Sequence, residues 1–225
     1  GMPCASLAAR VPRAAEFQGA STIYLLRFSF ETGEVVADKP ILSSRDKLID
    51  AALVCLRELG HADSTVKRIA AEAGVNHGLV HHYFGSKERL MAEALRRLDE
   101  RLMASILPLK EQIRHRPEAA IAEIFLPKVA FDRELLKVVL EFFAMSSRMP
   151  LVAEELRRFI AVRHQTLRDV MHLQDHTSAA LFFAGIFGLA MHYQVDPTLP
   201  ITEAAERLLR LILADNQSGV RPPPS

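Results

Sequence analysis

Residues 65–90 read TVKRIAAEAGVNHGLVHHYFGSKERL, and no other stretch restricts the fold as tightly. Val66, Ile69, Ala70 and Ala73 fall at i, i+3, i+4 and i+7, one apolar face of a helix of about two turns. Ser64 or Thr65 can cap its start with a side-chain oxygen that accepts from an orphan backbone N–H. Gly74 stands where a chain leaves a helix through a left-handed residue, which glycine adopts without a side-chain clash. Val75 plugs the turn, and Asn76 can cap a second short helix whose inner face is Val80 and Phe84. Ser86 caps a third helix that follows at once, with Glu88 near the positive end of its dipole.

The second short helix turns Asn76, His77, Leu79, His81, His82 and Tyr83 outward. A helix–turn–helix lays its second helix in the major groove and takes phosphate contacts from its flanks. Asn76, His77 and His82 can donate or accept at base edges, and Leu79 can touch a thymine methyl. His81, Tyr83 and Lys87 are placed for phosphate oxygens, which set register rather than sequence. Thr65, Lys67 and Arg68, at the start of the first short helix, complete the expected DNA-contacting set.

The run resembles the DNA-binding domain of TetR-type (tetracycline-repressor-like) transcriptional regulators. The matching pattern is Thr65, Ile69 and Ala70, Ala73 to Val75, Tyr83 and Phe84, Ser86 to Glu88, and Leu90. The resemblance implies a helical homodimer, a variable ligand-binding domain, and repression relieved by a small molecule. Departures from the pattern bear on the operator sequence rather than on the class of the domain. The family often has an acidic residue where Arg68 stands, which would complete a capping box; Arg68 can reach a phosphate instead. A tyrosine is common at His81, and a threonine or serine at Leu79. The reading helix carries no Lys or Arg.

With 225 residues, 49% of them hydrophobic, the chain can bury a sizeable core without staples. Its net charge of +1 does not mark a nucleic-acid-binding protein. Residues 43–97 are also nearly balanced, with nine Lys or Arg and seven Asp or Glu. Phosphate affinity must therefore come from a few placed groups, helix N-termini and dimerisation. Cys4 and Cys55 are the only cysteines; Cys55 sits on an apolar helical face, and a reducing cytoplasm fits. The apolar run 179–191 is too short for a membrane span.

The expected fold is all-α, with an N-terminal three-helix helix-turn-helix DNA-binding domain and a C-terminal helical ligand-binding and dimerisation domain. Residues 1–40 form an atypical extension, disordered or a hairpin built from an alternating strand at 22–30. The DNA-binding domain covers 41–88. Its first helix is expected over 44–59, with Leu48, Ala52, Cys55, Leu56 and Leu59 inward and Gly60 as its stop. The ligand-binding and dimerisation domain covers 89–216. A linking helix begins at Lys87 and continues toward Pro108. Further helices are expected at 118–129, 133–147, 151–173, 177–194 and 202–214, with prolines at or between their ends. Residues 217–225 form a frayed tail.

Residues 135–145 are apolar almost all round apart from Lys137 and Glu141, as in a helix buried on most sides. A carboxylate beside Phe142, Phe143 and Met145 needs a partner. It either contacts a ligand or, the preferred reading, pairs with an arginine such as Arg163. By helix position, Glu141, Phe142, Phe143, Met145, Met149, Arg163, Phe183 and Tyr193 are candidates for an effector pocket. The resemblance also implies a four-helix dimer interface built from the last two long helices. Ala180, Phe183, Ala184, Phe187, Gly188 and Met191 are its candidates, with Leu208, Leu211 and Ile212, the alternative being packing within one chain.

His77 and His81, and His172 and His176, are i, i+4 pairs, but neither has an evident third ligand, so no metal site is expected. There is no G-x-S-x-G elbow, phosphate-cradling glycine loop or H-E-x-x-H. No catalytic residue and no cofactor are expected. The reading is a cytoplasmic, ligand-responsive repressor, released from a palindromic operator by a small apolar or aromatic molecule. Its partners are double-stranded DNA, that effector and a second copy of itself. The alternative is a TetR-like helical small-molecule-binding protein without DNA function.

Overall fold

A computed structural model of the chain describes residues 43–106, 114–115 and 132–218. The expected hairpin near 22–36 and the helix at 118–129 lie outside the described residues. Within them the elements are all helical: α1 (Ser44–Asp63), α2 (Val66–Glu72), α3 (Gly78–Phe84), α4 (Lys87–Ile106), α5 (Arg133–Ser146), α6 (Pro150–Met171), α7 (His176–Val195) and α8 (Ile201–Ser218).

Short polar side chains start these helices by satisfying orphan N–H groups. Ser43, Thr65, Ser86, Asp132 and Asp175 accept from the backbone N–H three residues on, at 2.8–3.3 Å. Pro150 opens α6, where its missing N–H costs nothing. Gly60 breaks α1 at φ +71°, as its position predicts, but the chain continues helically to Asp63. Leu59 was expected to face inward and is instead 43% exposed, at the last residue before α1 breaks.

One apolar cluster runs from α1 through α2, α3 and α4 into α5 and α6. Leu48, Leu56, Ile69, Val80 and Leu90 share it with Phe142, Met145 and Val152. Each such side chain contributes about 1.5–3 kcal/mol by leaving water. A second cluster joins α7 and α8 to the end of α6, through Val170, Phe182, Ile186, Ala205 and Leu209.

α7 extends beyond the apolar run at 179–191. Its 20 residues are long and apolar enough, by length and composition, to cross a membrane. The apolar run within it is itself shorter than a span needs. Ala179, Phe182, Ile186 and Ala190 bury one side of it against the second cluster, so this helix belongs to the packed body.

Candidate nucleic-acid interface and its tie to the helical body

The α2–α3 turn closes through two backbone bonds. Val75 N–H donates to the Ala70 carbonyl and Gly74 N–H to the Ala71 carbonyl, both at 3.0 Å. This is a Schellman arrangement, and it requires the left-handed φ of +66° at Gly74. It aims α3 so that Val80 and Phe84 are buried while Asn76, His77, His81, His82 and Tyr83 are exposed. Tyr83 is 41% exposed, with its ring edge-on to His82 at 4.9 Å between centroids. Thr65, Lys67 and Arg68 are exposed at the start of α2.

Five sequence-predicted residues make contacts within the chain. Leu79, expected on the outer face, is half-buried and packs against the main core. Lys87, expected at a phosphate, is half-buried, and its Nζ donates to the His61 carbonyl at 3.2 Å. Burial pulls its ammonium below the ordinary lysine value. Asn76 Oδ1 accepts from Gly78 N–H at 2.8 Å, satisfying the first N–H of α3 from the residue before its N-cap, while its amide nitrogen stays open for a base. His81 Nδ1 lies 3.2 Å from the Gly85 carbonyl, which leaves Nε2 as its outward atom. Arg68 Nη1 donates to the Asp63 carbonyl at 3.3 Å and pairs with the Asp63 carboxylate at 3.5 Å, while remaining exposed.

α4 is held to the head on one side and to the body on the other. Arg97 bonds Asp46 at 2.5 Å and Asp50 at 3.2 Å, and Arg101 bonds Asp50 at 2.7 Å, fixing α4 to α1. Toward α6, Arg96 grips the buried Glu155 through two bonds of 2.8 and 3.2 Å, and Arg163 pairs with Asp99. Glu88, in the first turn of α4, accepts from Leu151 N–H at 2.8 Å and so caps the start of α6. Carboxylates bonded to charged or backbone donors in this way are the stronger hydrogen bonds of a fold.

The preferred partner of Glu141 is overturned. Glu141 Oε2 accepts from the backbone N–H of His61 at 2.7 Å, and Arg163 pairs with Asp99 instead. The reason is geometric: Glu141 reaches toward α1, where the break at Gly60 leaves the His61 N–H without a helical acceptor. His61 was not singled out by the sequence. The imidazole is pushed below its ordinary value by burial and then by Lys87, with Glu141 opposing.

Of the other pocket candidates, Phe142 and Met145 are fully buried in the main core. Phe143, Met149 and Phe183 are half-buried, as is Tyr193 on the second cluster. Phe143 lies 5.3 Å from Phe187, Phe183 stacks on Phe187 at 6.3 Å, and His164 meets Phe183 edge-on at 5.6 Å. His164, which the sequence reading passed over, also places Nδ1 3.2 Å from Nε2 of His176. Among the described residues, no group of three or more His, Cys, Asp or Glu is arranged to hold a metal ion.

The dimer candidates divide. Ile212 is buried in its own chain's second cluster, against the expectation of an interface role. Leu208 lies against Gly185, where an added Cβ would sit 2.5 Å from its Cδ2, so that small residue serves the α7–α8 contact within one chain. Phe183 and Phe187 pack on their own cores, and Ala180 is half-buried. Ala184, Met191 and Leu211 stay exposed. Leu181, 57% exposed, and Val195 lie on the same face of α7, spaced from Ala184, Gly188 and Met191 by alternating threes and fours. That 3–4 spacing was available in the sequence and would have found both.

Residues 48–94 match the family model described as "Bacterial regulatory proteins, tetR family". The chain is 30% identical over 184 residues to the HTH-type transcriptional regulator BetI of Brucella suis, covering 78% of this chain and 92% of that one. In structure it is similar to a transcriptional regulator from Rhodococcus sp., with a TM-score of 0.61 and 27% identity over 80% of this chain and all of the other. A TetR transcription regulator from Haloarcula marismortui shares the fold, with a TM-score of 0.60 and 22% identity over 78% of this chain and 97% of its own. A capped helix pair joined by a left-handed glycine, an outward polar face on its second helix and relatives matched along almost their whole length converge on one assignment: the chain belongs to the tetR family of ligand-responsive, DNA-binding transcriptional regulators.

Proposed function

We propose that the protein is a homodimeric, cytoplasmic repressor that inserts α3 of each copy into successive major grooves of a near-palindromic operator. Residues 41–88 serve as the reading head and 89–216 as the effector and dimer body. The observation that carries this reading is the division of α3, with Val80 and Phe84 buried and His77, His81, His82 and Tyr83 presented together. Base edges fall to His77, His82 and the Asn76 amide; phosphates fall to Thr65, Lys67, Arg68, Tyr83 and His81. Lys87 leaves this set because its ammonium already serves His61.

The second copy docks on the open face of α7 and α8, formed by Leu181, Ala184, Gly188, Met191 and Leu211. Its small residues permit close helix approach, and nothing lies within 4 Å of a Cβ placed at Gly188. A small apolar or aromatic effector enters the body near the half-buried Phe143, Phe183 and Phe187. To release the operator it must bind the DNA-incompetent state more tightly than the competent one.

Selection of binding sites from random DNA tests the reading. An enriched near-palindrome, with half-sites about one helical turn or slightly more apart, is expected. Enrichment of no palindrome would favour a ligand-binding protein without DNA function. The absence of Lys and Arg from α3 and the engagement of Lys87 at His61 point toward that second reading.

A further inference from the structure

Arg163 is one of the charged groups in the described body with a buried, unpartnered atom. It stands on α6 facing α4, and its side chain is only 12% exposed. Nη1 donates to the Asp99 carboxylate and weakly to the Phe159 carbonyl at 3.5 Å. The guanidinium carbon lies 3.7 Å over the Phe159 ring, which fixes the plane of the fork. Nη2 is buried and has no hydrogen-bond partner. A buried donor left unpaired forfeits the hydrogen bonds it made in water, and most buried polar groups avoid this. Burial holds this guanidinium below its ordinary value even though Asp99 raises it.

A guanidinium presents two amino edges in one plane and can hold a carboxylate on each. Here Nη1 is taken by Asp99 of α4, while Nη2 is buried in the body and left without a partner. We propose that Nη2 of Arg163 is the anchor for the carboxylate of a monoanionic effector with an apolar or aromatic body. This rests on the reading of residues 89–216 as an effector-binding body and narrows the effector from apolar to amphiphilic and acidic. A second carboxylate on the fork competes with Asp99 for the same positive charge, so the effector loosens the hold of α6 on α4. α4 carries the head through Arg97 and Arg101, so that loosening reaches the DNA-binding surface.

The test is calorimetric titration of the full chain with benzoate, 4-phenylbutyrate and octanoate, each beside its primary amide. Saturable binding of at least one carboxylate is expected, about ten-fold or more tighter than its amide, since hydrogen bonds to charged groups are the stronger ones. Arg163→Met should abolish that preference. It also strands Asp99 and can unfold the body, so Asp99→Asn is the second arm. Removing the competing carboxylate should tighten carboxylate binding several-fold and leave amide binding nearly unchanged. Amides that bind as well as their acids, carboxylates that show no saturable binding, or a weaker carboxylate affinity in Asp99→Asn would each overturn the assignment. Operator binding by the ligand-free protein is measured separately. Its failure would remove the repressor reading and leave the carboxylate result standing.

Discussion

Glu141 of α5 accepts a hydrogen bond from the backbone N–H of His61 at 2.7 Å, joining positions 80 residues apart. The same short segment donates through Ser64 Oγ to the Gly60 carbonyl at 2.6 Å and accepts from Lys87 at the His61 carbonyl. The break in α1 is thus stitched from three directions: by the body, by its own chain and by the start of α4.

Glu141→Ala should leave the His61 N–H without its acceptor and destabilise the fold by about 1–3 kcal/mol. Glu141→Gln keeps an oxygen acceptor and should lose less. Gly60→Ala should also destabilise, by about 1–3 kcal/mol from its positive-φ, extended-ψ backbone alone. Its Cβ would further sit 3.1 Å from Glu141 Oε1. Urea unfolding midpoints measure all three, and equal stability of Glu141→Ala and wild type would remove the stitch from the account.

Lys67→Ala and Arg68→Ala should weaken binding to every DNA sequence, each flattening the slope of log affinity against log salt by about 0.9. Tyr83→Phe should weaken binding across sequences as well, by losing one hydroxyl contact. Lys87→Ala should act differently, lowering the melting temperature by stranding the His61 carbonyl. A Lys87→Ala protein of unchanged melting temperature whose salt slope drops by one charge would return Lys87 to the phosphate set.

Asn76→Ala removes the acceptor for the first N–H of α3 and should cost about 1 kcal/mol of stability. Because that bond also sets the start of α3, affinity for all operators should fall, with a smaller shift in base preference. Asn76→Asp retains the accepting oxygen and loses the open amide. It should therefore keep the stability and change the preference. Denaturation paired with binding-site selection separates the two roles.

Leu181→Glu and Leu211→Glu each place a charge on the open α7–α8 face, where both leucines are more than half exposed in one chain. Each should yield a folded monomer with at least about a hundred-fold weaker operator binding, because a single head holds too few phosphate contacts. Light scattering after size exclusion reads the first outcome. A Leu181→Glu protein that remains dimeric would place the interface elsewhere.

His61 and His164 are both held below the ordinary imidazole value of 6.5, first by burial and then by nearby groups: Lys87 at His61 and His176 at His164. For both, the folded state prefers the neutral ring, so the unfolded chain binds more protons as pH falls below about 6.5. Stability is therefore full above that pH and lost as pH falls through the folded values. Asp46, lowered by its bonds to Ser43 and Arg97, adds a loss of the same sign only below about pH 3.8. Melting temperatures from pH 7.5 to 5 should fall, and His164→Phe should flatten part of the decline. A melting temperature that holds constant over that range would contradict the assignment.

Local chemistry carried much of this fold. Ser43, Thr65, Ser86, Asp132 and Asp175 are short polar caps in front of helical periodicity, and the helices begin where they stand. Gly74 had to be left-handed because the Val66–Ala73 face could not otherwise turn into α3. The candidate reading face was legible for the same reason, since a period of 3.6 separates Val80 and Phe84 from the residues between them. Leu79 was misplaced because it lies at the edge of that face, where a neighbouring helix decides whether it is covered.

The sequence by itself determined the helices, their caps and turns, and the class of the head, because those depend on residues within a few positions of one another. Only the tertiary structure decided the partners of the charged groups. Glu141 went to a backbone N–H at the Gly60 break rather than to Arg163; Arg163 went to Asp99 and left Nη2 unpaired; Lys87 went to the His61 carbonyl. A long charged side chain reaches several partners at nearly equal Coulomb energy. Which one it takes is set by burial and by where packed helices leave unsatisfied donors and acceptors.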